Sequence, residues 1–167
     1  MDRTKDCLVV IHASDKWLSD NLSYMEVAKL RKAIRSRIDD YILEWKVVFY
    51  APFTWKDKSL PSYFPQSDSI VQLWTDIKNM PWQFLVKFQA ISLMKILSEL
   101  DLSDLELCWV QENACVKSTK KALHEISADD LSTYSLCTWE EVNELTWSTN
   151  RKITSVINKN ATDRILK

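Results

Sequence analysis

The sequence contains no glycine in its 167 residues, although glycine makes up about 7% of an average protein. Glycine enters left-handed turns without steric cost and lets the backbone approach a bound phosphate closely. The chain therefore has no glycine-rich loop of the kind that holds nucleotide phosphates, and we expect no nucleotide site. Its tight turns must be made by residues that carry a side chain.

The length of 167 residues predicts a single domain over residues 1–167. The net charge of −1 gives no reason to expect nucleic acid or an anionic membrane as partner. No apolar stretch is long enough to span a bilayer, and residues 1–10 lack the features of a secretion signal. The four cysteines show no zinc spacing. We therefore expect a soluble intracellular protein with free thiols, and neither a metal nor a cofactor.

Short apolar runs alternate along the chain with segments of helical periodicity. The strand predictions with the strongest support are 7–11, 46–50 and 105–110, and weaker ones are 82–88, 131–137 and 153–157. A long helix is predicted at 21–45, with a cap at Ser19, Asp20 or Asn21. A second helix is predicted to start at Ser67–Asp68 and to contain Ile70 and Leu73, and a third to place Leu93 and Leu100 in the core. The remaining predicted helices are 115–126, 139–147 and 160–167. The alternation favours an α/β domain with a mostly parallel, roughly six-stranded sheet in a three-layer αβα arrangement.

A mainly helical domain is the alternative. Residues 46–50 and 131–137 are apolar runs that are also compatible with buried helix segments. The basic run 31–37 is interleaved with apolar residues at helical spacing and is interpreted as the solvated face of the first long helix.

In a parallel sheet, ligands bind beyond the carboxyl ends of the strands. This rule selects His12 after the first strand, Lys87 at the end of the third, and Cys115 after the fourth. A thiol at a helix N-terminus is favoured as thiolate, the nucleophilic form of cysteine. Backbone N–H groups from Gln111 to Cys115 would suit an oxyanion hole. Cys7, Cys108 and Cys137 are interpreted as inert core thiols.

The segment around Cys115 resembles the nucleophile motif of the isochorismatase-like cysteine hydrolases. Residues 105–119 read Leu-Glu-Leu-Cys-Trp-Val-Gln-Glu-Asn-Ala-Cys-Val-Lys-Ser-Thr, which is similar to a strand followed by the Cys-Val-x-x-Thr that opens a helix. Residues 8–18 resemble the first strand of that family, which supplies a catalytic aspartate. Residues 86–88, Val-Lys-Phe, resemble the segment that supplies a catalytic lysine. The resemblance covers almost the whole chain.

The resemblance implies hydrolysis of an amide or related C–N bond by an Asp–Lys–Cys triad. Cys115 matches the nucleophile and Lys87 the lysine, whereas His12 stands in the aspartate position. A histidine can accept a proton, but it does not balance the charge of a lysine. Trp109 replaces a glycine of the motif, and residues 50–55 lack the Asp and His of the metal-binding members. The triad is therefore expected to be vestigial or divergent, and His12 to be a hydrogen-bonded structural residue.

Two functions follow from this interpretation. The favoured one is a catalytically degenerate isochorismatase-like domain, leaning away from enzyme activity, that serves as a binding or structural subunit with a protein partner or as a homo-oligomer. A small-molecule substrate is doubtful under this reading. The alternative is a divergent cysteine hydrolase in which Cys115 attacks an amide or related C–N bond.

Overall fold

The structure of the chain, a computed structural model, describes residues 3–52, 59–73, 82–109, 119, 121–122 and 154–158, with only the backbone described for 82–88, 109 and 154–157. The predicted strand 131–137 and the predicted helices 139–147 and 160–167 lie outside these residues. Of the predicted helix 115–126, positions 119, 121 and 122 are described, and all three are helical.

Five described strands form one parallel sheet in the order β3-β2-β1-β4-β5. Their bounds are β1 Cys7–Ile11, β2 Val48–Ala51, β3 Ile70–Gln72, β4 Asp104–Trp109 and β5 Thr154–Ile157. Strand β1 lies in the middle, where Leu8 is opposite Val48 on one side and Glu106 on the other. The predicted parallel α/β fold is confirmed, as are strands at four of the predicted positions. The mainly helical alternative is wrong.

Three helices are described around this sheet, with bounds α1 Asp15–Asn21, α2 Tyr24–Leu43 and α3 Trp82–Glu99. The predicted helix over 21–45 is found as α2, but the predicted cap at Ser19, Asp20 or Asn21 is wrong, because Ser23 caps this helix and the earlier residues belong to α1, which Ser14 caps. The Ser23 hydroxyl accepts from the Glu26 N–H, and the Glu26 carboxylate accepts from the Ser23 N–H. This reciprocal capping box fixes the start of α2. None of the described helices has the length and apolar character needed to cross a membrane.

Two predictions between β2 and β4 are corrected. The predicted helix after Ser67 contains β3 instead, because the N–H of Val48 donates to Ser69 O and the N–H of Leu73 donates to Tyr50 O. The predicted strand 82–88 is the first part of α3, which continues without a break to Glu99. The first segment is a strand because it pairs with β2, and the second is helical because it belongs to a helix of 18 residues. Leu100 was expected in the core but is exposed, because the helix has ended before it.

Both long helices end with a left-handed residue that is not glycine. Trp45 follows α2 and Asp101 follows α3, each with φ of 57°. The N–H of Lys46 donates to Tyr41 O at 2.9 Å and that of Leu102 donates to Leu97 O at 2.9 Å. These are the longer hydrogen bonds of a Schellman motif, in which the left-handed position usually holds glycine.

A buried ion pair joins α2 to the central part of the sheet. The Arg37 guanidinium donates from Nε and Nη2 to the two carboxylate oxygens of Glu106 on β4, at 2.7 and 2.6 Å. Tyr41 on α2 and Asn158 after β5 donate to the same carboxylate, each at 2.6 Å. The interpretation of Arg37 as part of a solvated face is therefore wrong, since its side chain is 9% exposed.

The hydrogen bonds to Glu106 keep its carboxylate ionised inside the protein. Burial raises the pKa of Glu106, but the bonds from Arg37, Tyr41 and Asn158 outweigh burial and bring this pKa below its ordinary value. A buried charge of this kind is tolerated only when its partners are all in place. The network therefore links α2 to β4 and to the residue that follows β5.

We expect Arg37→Met to lower the free energy of unfolding by about 3 kcal/mol, because the Glu106 carboxylate would stay buried without its cation. Arg35→Met is a matched control on the same helix. It removes an ion pair with Asp39 in which both side chains are more than two fifths exposed, together with an exposed hydrogen bond to Tyr63 O at 3.2 Å. We expect a loss below about 1 kcal/mol. Urea denaturation measures both values, and equal losses in the two variants would contradict the role of the buried pair.

Candidate functional site

His12 lies at the carboxyl end of the central strand β1. Its N–H still donates to Ala51 O at 2.7 Å, which extends the pairing of β1 with β2 by one residue. At the same residue φ becomes 51°, so the strand ends in a left-handed conformation. A side chain makes this conformation cost roughly 1 kcal/mol relative to glycine. The imidazole is fully buried.

Gln89 on α3 determines which ring nitrogen of His12 carries the proton. The Gln89 amide nitrogen donates to Pro52 O at 2.6 Å, just beyond β2. Its carbonyl oxygen is therefore the atom that faces His12 Nε2, at 3.0 Å. A carbonyl oxygen only accepts hydrogen bonds, so Nε2 of His12 is protonated and Nδ1 has the lone pair. The chain His12–Gln89–Pro52 thus connects β1, α3 and β2 at the carboxyl edge of the sheet.

Burial keeps this imidazole neutral. It lowers the pKa of His12 from 6.5 to about 4, and the hydrogen bond with Gln89 opposes burial only in part. A group with a pKa near 4 is a weak base at neutral pH. An ionised carboxylate buried at this position would need cations or N–H groups as partners. The partner of His12 Nε2 is instead a carbonyl oxygen.

The segment 59–66 fixes the corner beside the end of β1. Tyr63 donates its hydroxyl hydrogen to Ala13 O at 2.6 Å, and Asp15 accepts from both the N–H and the hydroxyl of Ser62. The ring of Phe64 packs edge-on against Tyr50 of β2, with 5.2 Å between centroids. These hydrogen bonds and the ring contact hold the segment 59–66 against the residues that follow β1 and against β2.

The other predicted site residues fall partly or wholly outside the described chain. Gln111 and Cys115, the proposed oxyanion hole and nucleophile, are not among the described residues. Lys87 lies in α3, two residues before Gln89, and its side chain is not described. The structure therefore places His12 at the expected edge, and the triad of His12, Lys87 and Cys115 stays a prediction.

The strand that stands third in chain order carries no lysine. The resemblance implies that the catalytic lysine lies on a strand of its own. This strand comes after the second strand and before the helix that leads to the strand with the cysteine. That place is taken by β3, whose residues Ile70–Gln72 end in glutamine. Lys87 belongs to the following helix rather than to a strand end. The strand assignment that supported Lys87 as a site residue is thus wrong.

Gln89 is the site residue that the sequence did not reveal. It is 77 positions from His12, and a glutamine inside an apolar helix carries no motif. The available signal was its polarity, since a polar residue on a buried helix face needs a partner. Within the described ranges, no three His, Cys, Asp or Glu side chains form a group that would hold a metal ion.

The depressed pKa of His12 predicts that acid weakens the fold. The unfolded chain gains a proton at His12 below pH 6.5, whereas the folded protein does not until about pH 4. The contribution of the neutral His12 to the free energy of unfolding is therefore fully present above pH 6.5. It is lost as the pH falls from 6.5 to 4, by up to about 3 kcal/mol. Urea denaturation at several pH values measures this fall.

His12→Asn is the control for this pH dependence, because asparagine tolerates a left-handed backbone and does not titrate. We expect the free energy of unfolding of the variant to change much less across the same pH window. A wild-type stability that is flat from about pH 7 to about pH 4.5 would show that His12 titrates normally.

Comparison with known proteins agrees with the fold. No family model matches the sequence, and no curated protein matches it. Among solved structures, the chain is similar to the crystal structure of an isochorismatase from Pseudomonas putida, with a TM-score of 0.53 and 13% sequence identity. The match covers 96% of this chain and 92% of that one. At this identity the likeness concerns the fold alone, and the chain has an isochorismatase-like α/β fold.

Proposed function

We propose that the chain is a catalytically degenerate isochorismatase-like domain that acts as a binding or structural subunit in a protein assembly. The observation that carries the proposal is the state of His12. At the end of the central strand, where the resemblance implies a catalytic aspartate, there is a buried neutral imidazole held by Gln89. An α/β fold can keep its surface for binding after losing its chemistry.

The electrostatics of the carboxyl edge support the loss of activity. An Asp–Lys–Cys triad works through a carboxylate that takes the thiol proton and is balanced by the lysine. Here His12 has a pKa of about 4 because it is buried, and its protonated Nε2 is already used toward Gln89. Strand β3 brings Gln72 rather than a lysine to the same edge. At the end of β1 and β3, the described residues His12 and Gln72 therefore supply hydrogen-bonding groups where the resemblance implies a carboxylate and a lysine.

The full architecture is part of the proposal. The step from β1 to β2 runs toward one edge of the sheet, and the step from β3 to β4 runs toward the other. Right-handed crossovers then put α2 and α3 on opposite faces, which makes three layers. A sixth strand from residues 131–137 would complete the roughly six-stranded sheet.

Alkylation of the thiols tests the loss of catalysis. We expect iodoacetamide to label Cys115 at about pH 7 no faster than a model thiol of pKa about 8.5, since a neutral His12 with a pKa of about 4 is too weak a base to take the thiol proton. Cys7 and Cys108 are internal controls, because both are buried and burial raises the pKa of each thiol. Mass spectrometry of the labelled peptides, with Cys115→Ser as reference, gives the rate at each site.

Fast labelling of Cys115 with a midpoint well below the ordinary thiol pKa would contradict degeneracy. Together with hydrolysis of an amide or related C–N bond that Cys115→Ser abolishes, it would establish the divergent cysteine hydrolase instead. The binding role has its own test. Isolation from the native source under gentle conditions should yield an assembly, and a lone monomer would contradict the subunit role.

A further inference from the structure

The next-to-last residues of three neighbouring strands form a row across one face of the sheet. Tyr50 of β2 is opposite Val10 of β1, which is opposite Cys108 of β4, and all three are fully buried. Glu106 lies two residues before Cys108, so both side chains are on the same face of β4, and Glu106 is bound by Arg37 of α2. The row therefore lies on the α2 face, near the carboxyl ends of the strands.

The segment 59–66, which we call the strap, covers this row with two aromatic side chains. The ring of Phe64 packs edge-on against Tyr50, with 5.2 Å between centroids. Burial raises the pKa of Tyr63 well above its ordinary value, and the neighbouring Tyr50 and Cys108 raise it further. The Tyr63 phenol is thus close enough to the Cys108 thiol for the two groups to interact.

Asp15, the first residue of α1, holds the strap from the outside. Its carboxylate oxygens accept from the N–H and the hydroxyl of Ser62 at 2.6 and 2.8 Å. It also pairs with Arg31 of α2 at 2.8 Å, and this guanidinium lies 5.6 Å from the centroid of the Tyr63 ring. Ser62 is exposed, and the side chains of Arg31 and Asp15 are 31% and 36% exposed. Water can therefore replace these polar contacts when the strap moves away.

The backbone of the strap is not part of the sheet. Among the described residues, its one backbone–backbone hydrogen bond lies within the strap itself, from the Phe64 N–H to Pro61 O at 3.0 Å. A segment of this kind can leave its place without breaking a ladder of the sheet. Such segments open at a lower free energy than the fold as a whole.

We propose that the strap is a lid that opens locally while the sheet stays folded, and that Asp15 is the residue that keeps it closed. Opening uncovers the row Tyr50–Val10–Cys108 at the carboxyl edge. This inference goes beyond the proposed function, because the strap controls access to this edge whether the domain binds a partner or hydrolyses a substrate.

Alkylation of Cys108 in the native protein measures the opening. Cys7 is the internal control, since it is equally buried but lies at the amino end of β1, away from the strap. Iodoacetamide is applied over hours, and mass spectrometry of the peptides gives the rate at each thiol. We expect the rate at Cys108 to change little below about 1 M urea, because a local opening exposes little new surface.

Asp15→Ala removes the acceptor of both Ser62 hydrogen bonds. We expect it to speed the labelling of Cys108 at least about tenfold, because hydrogen bonds to a charged group are lost from the closed state alone. The rate at Cys7 should stay within about twofold, since Cys7 reacts only when the sheet unfolds. Ser62→Ala removes one of the two hydrogen bonds, and we expect a smaller increase at Cys108.

Asp20→Ala is the matched control on the same helix. It removes an exposed ion pair with Lys16 and no described contact of the strap, so we expect the rate at Cys108 to stay within about twofold. Equal acceleration of Cys7 and Cys108 by Asp15→Ala would overturn the proposal, because the variant would then act on the whole fold. A rate at Cys108 that Asp15→Ala leaves unchanged would overturn it as well.

Discussion

The absence of glycine means that each left-handed junction in the chain must be made by a residue with a side chain. In the described residues these junctions are His12, Trp45 and Asp101, and each directly follows a strand or a long helix. A side chain placed at such a point must be buried with a partner or left in solvent. The His12 side chain is buried and lies at the carboxyl end of the central strand. The Trp45 side chain is left in solvent and is the most exposed large apolar side chain of the described chain. The same constraint of composition therefore applies at the end of the central strand and beyond the ends of both long helices.

The sheet that carries these junctions is held in place by a charge in its interior. Glu106 on β4 is almost fully buried and accepts hydrogen bonds from Arg37 on α2 and from Asn158 after β5. Because an ionised carboxylate is stable there only with its partners, the pair links the helix that ends at Trp45 to the sheet that ends at His12. At the carboxyl end of β1, by contrast, the contacts of His12 with Gln89 and of Gln89 with Pro52 are made by uncharged groups.

The parts of this structure that the sequence predicted are those with a strong local signal. Residues 7–11 are a continuous apolar run in the central strand of a parallel sheet, and such runs are buried on both faces. Strand β4 beside it is apolar from Leu105 to Trp109 except at Glu106. Residues 70–73 and 82–88 were assigned to the wrong class, since short apolar segments fit either period until their pairing or full length is known. The partners of Arg37 and His12 are 69 and 77 positions away. Such contacts depend on how the strands and helices are arranged in space. They cannot be predicted from the pattern of residues in a short segment of the sequence.

A neutral, buried imidazole lies at the end of β1, where the resemblance implies a catalytic aspartate. Nitrogen NMR of the His12 ring across pH tests this most directly, with His12→Asn used to assign the signals. The structure predicts that Nε2 carries the proton, that Nδ1 has the lone pair, and that the ring stays neutral until about pH 4. Titration of His12 near its ordinary pKa of 6.5, or a proton on Nδ1 instead of Nε2, would contradict the claim.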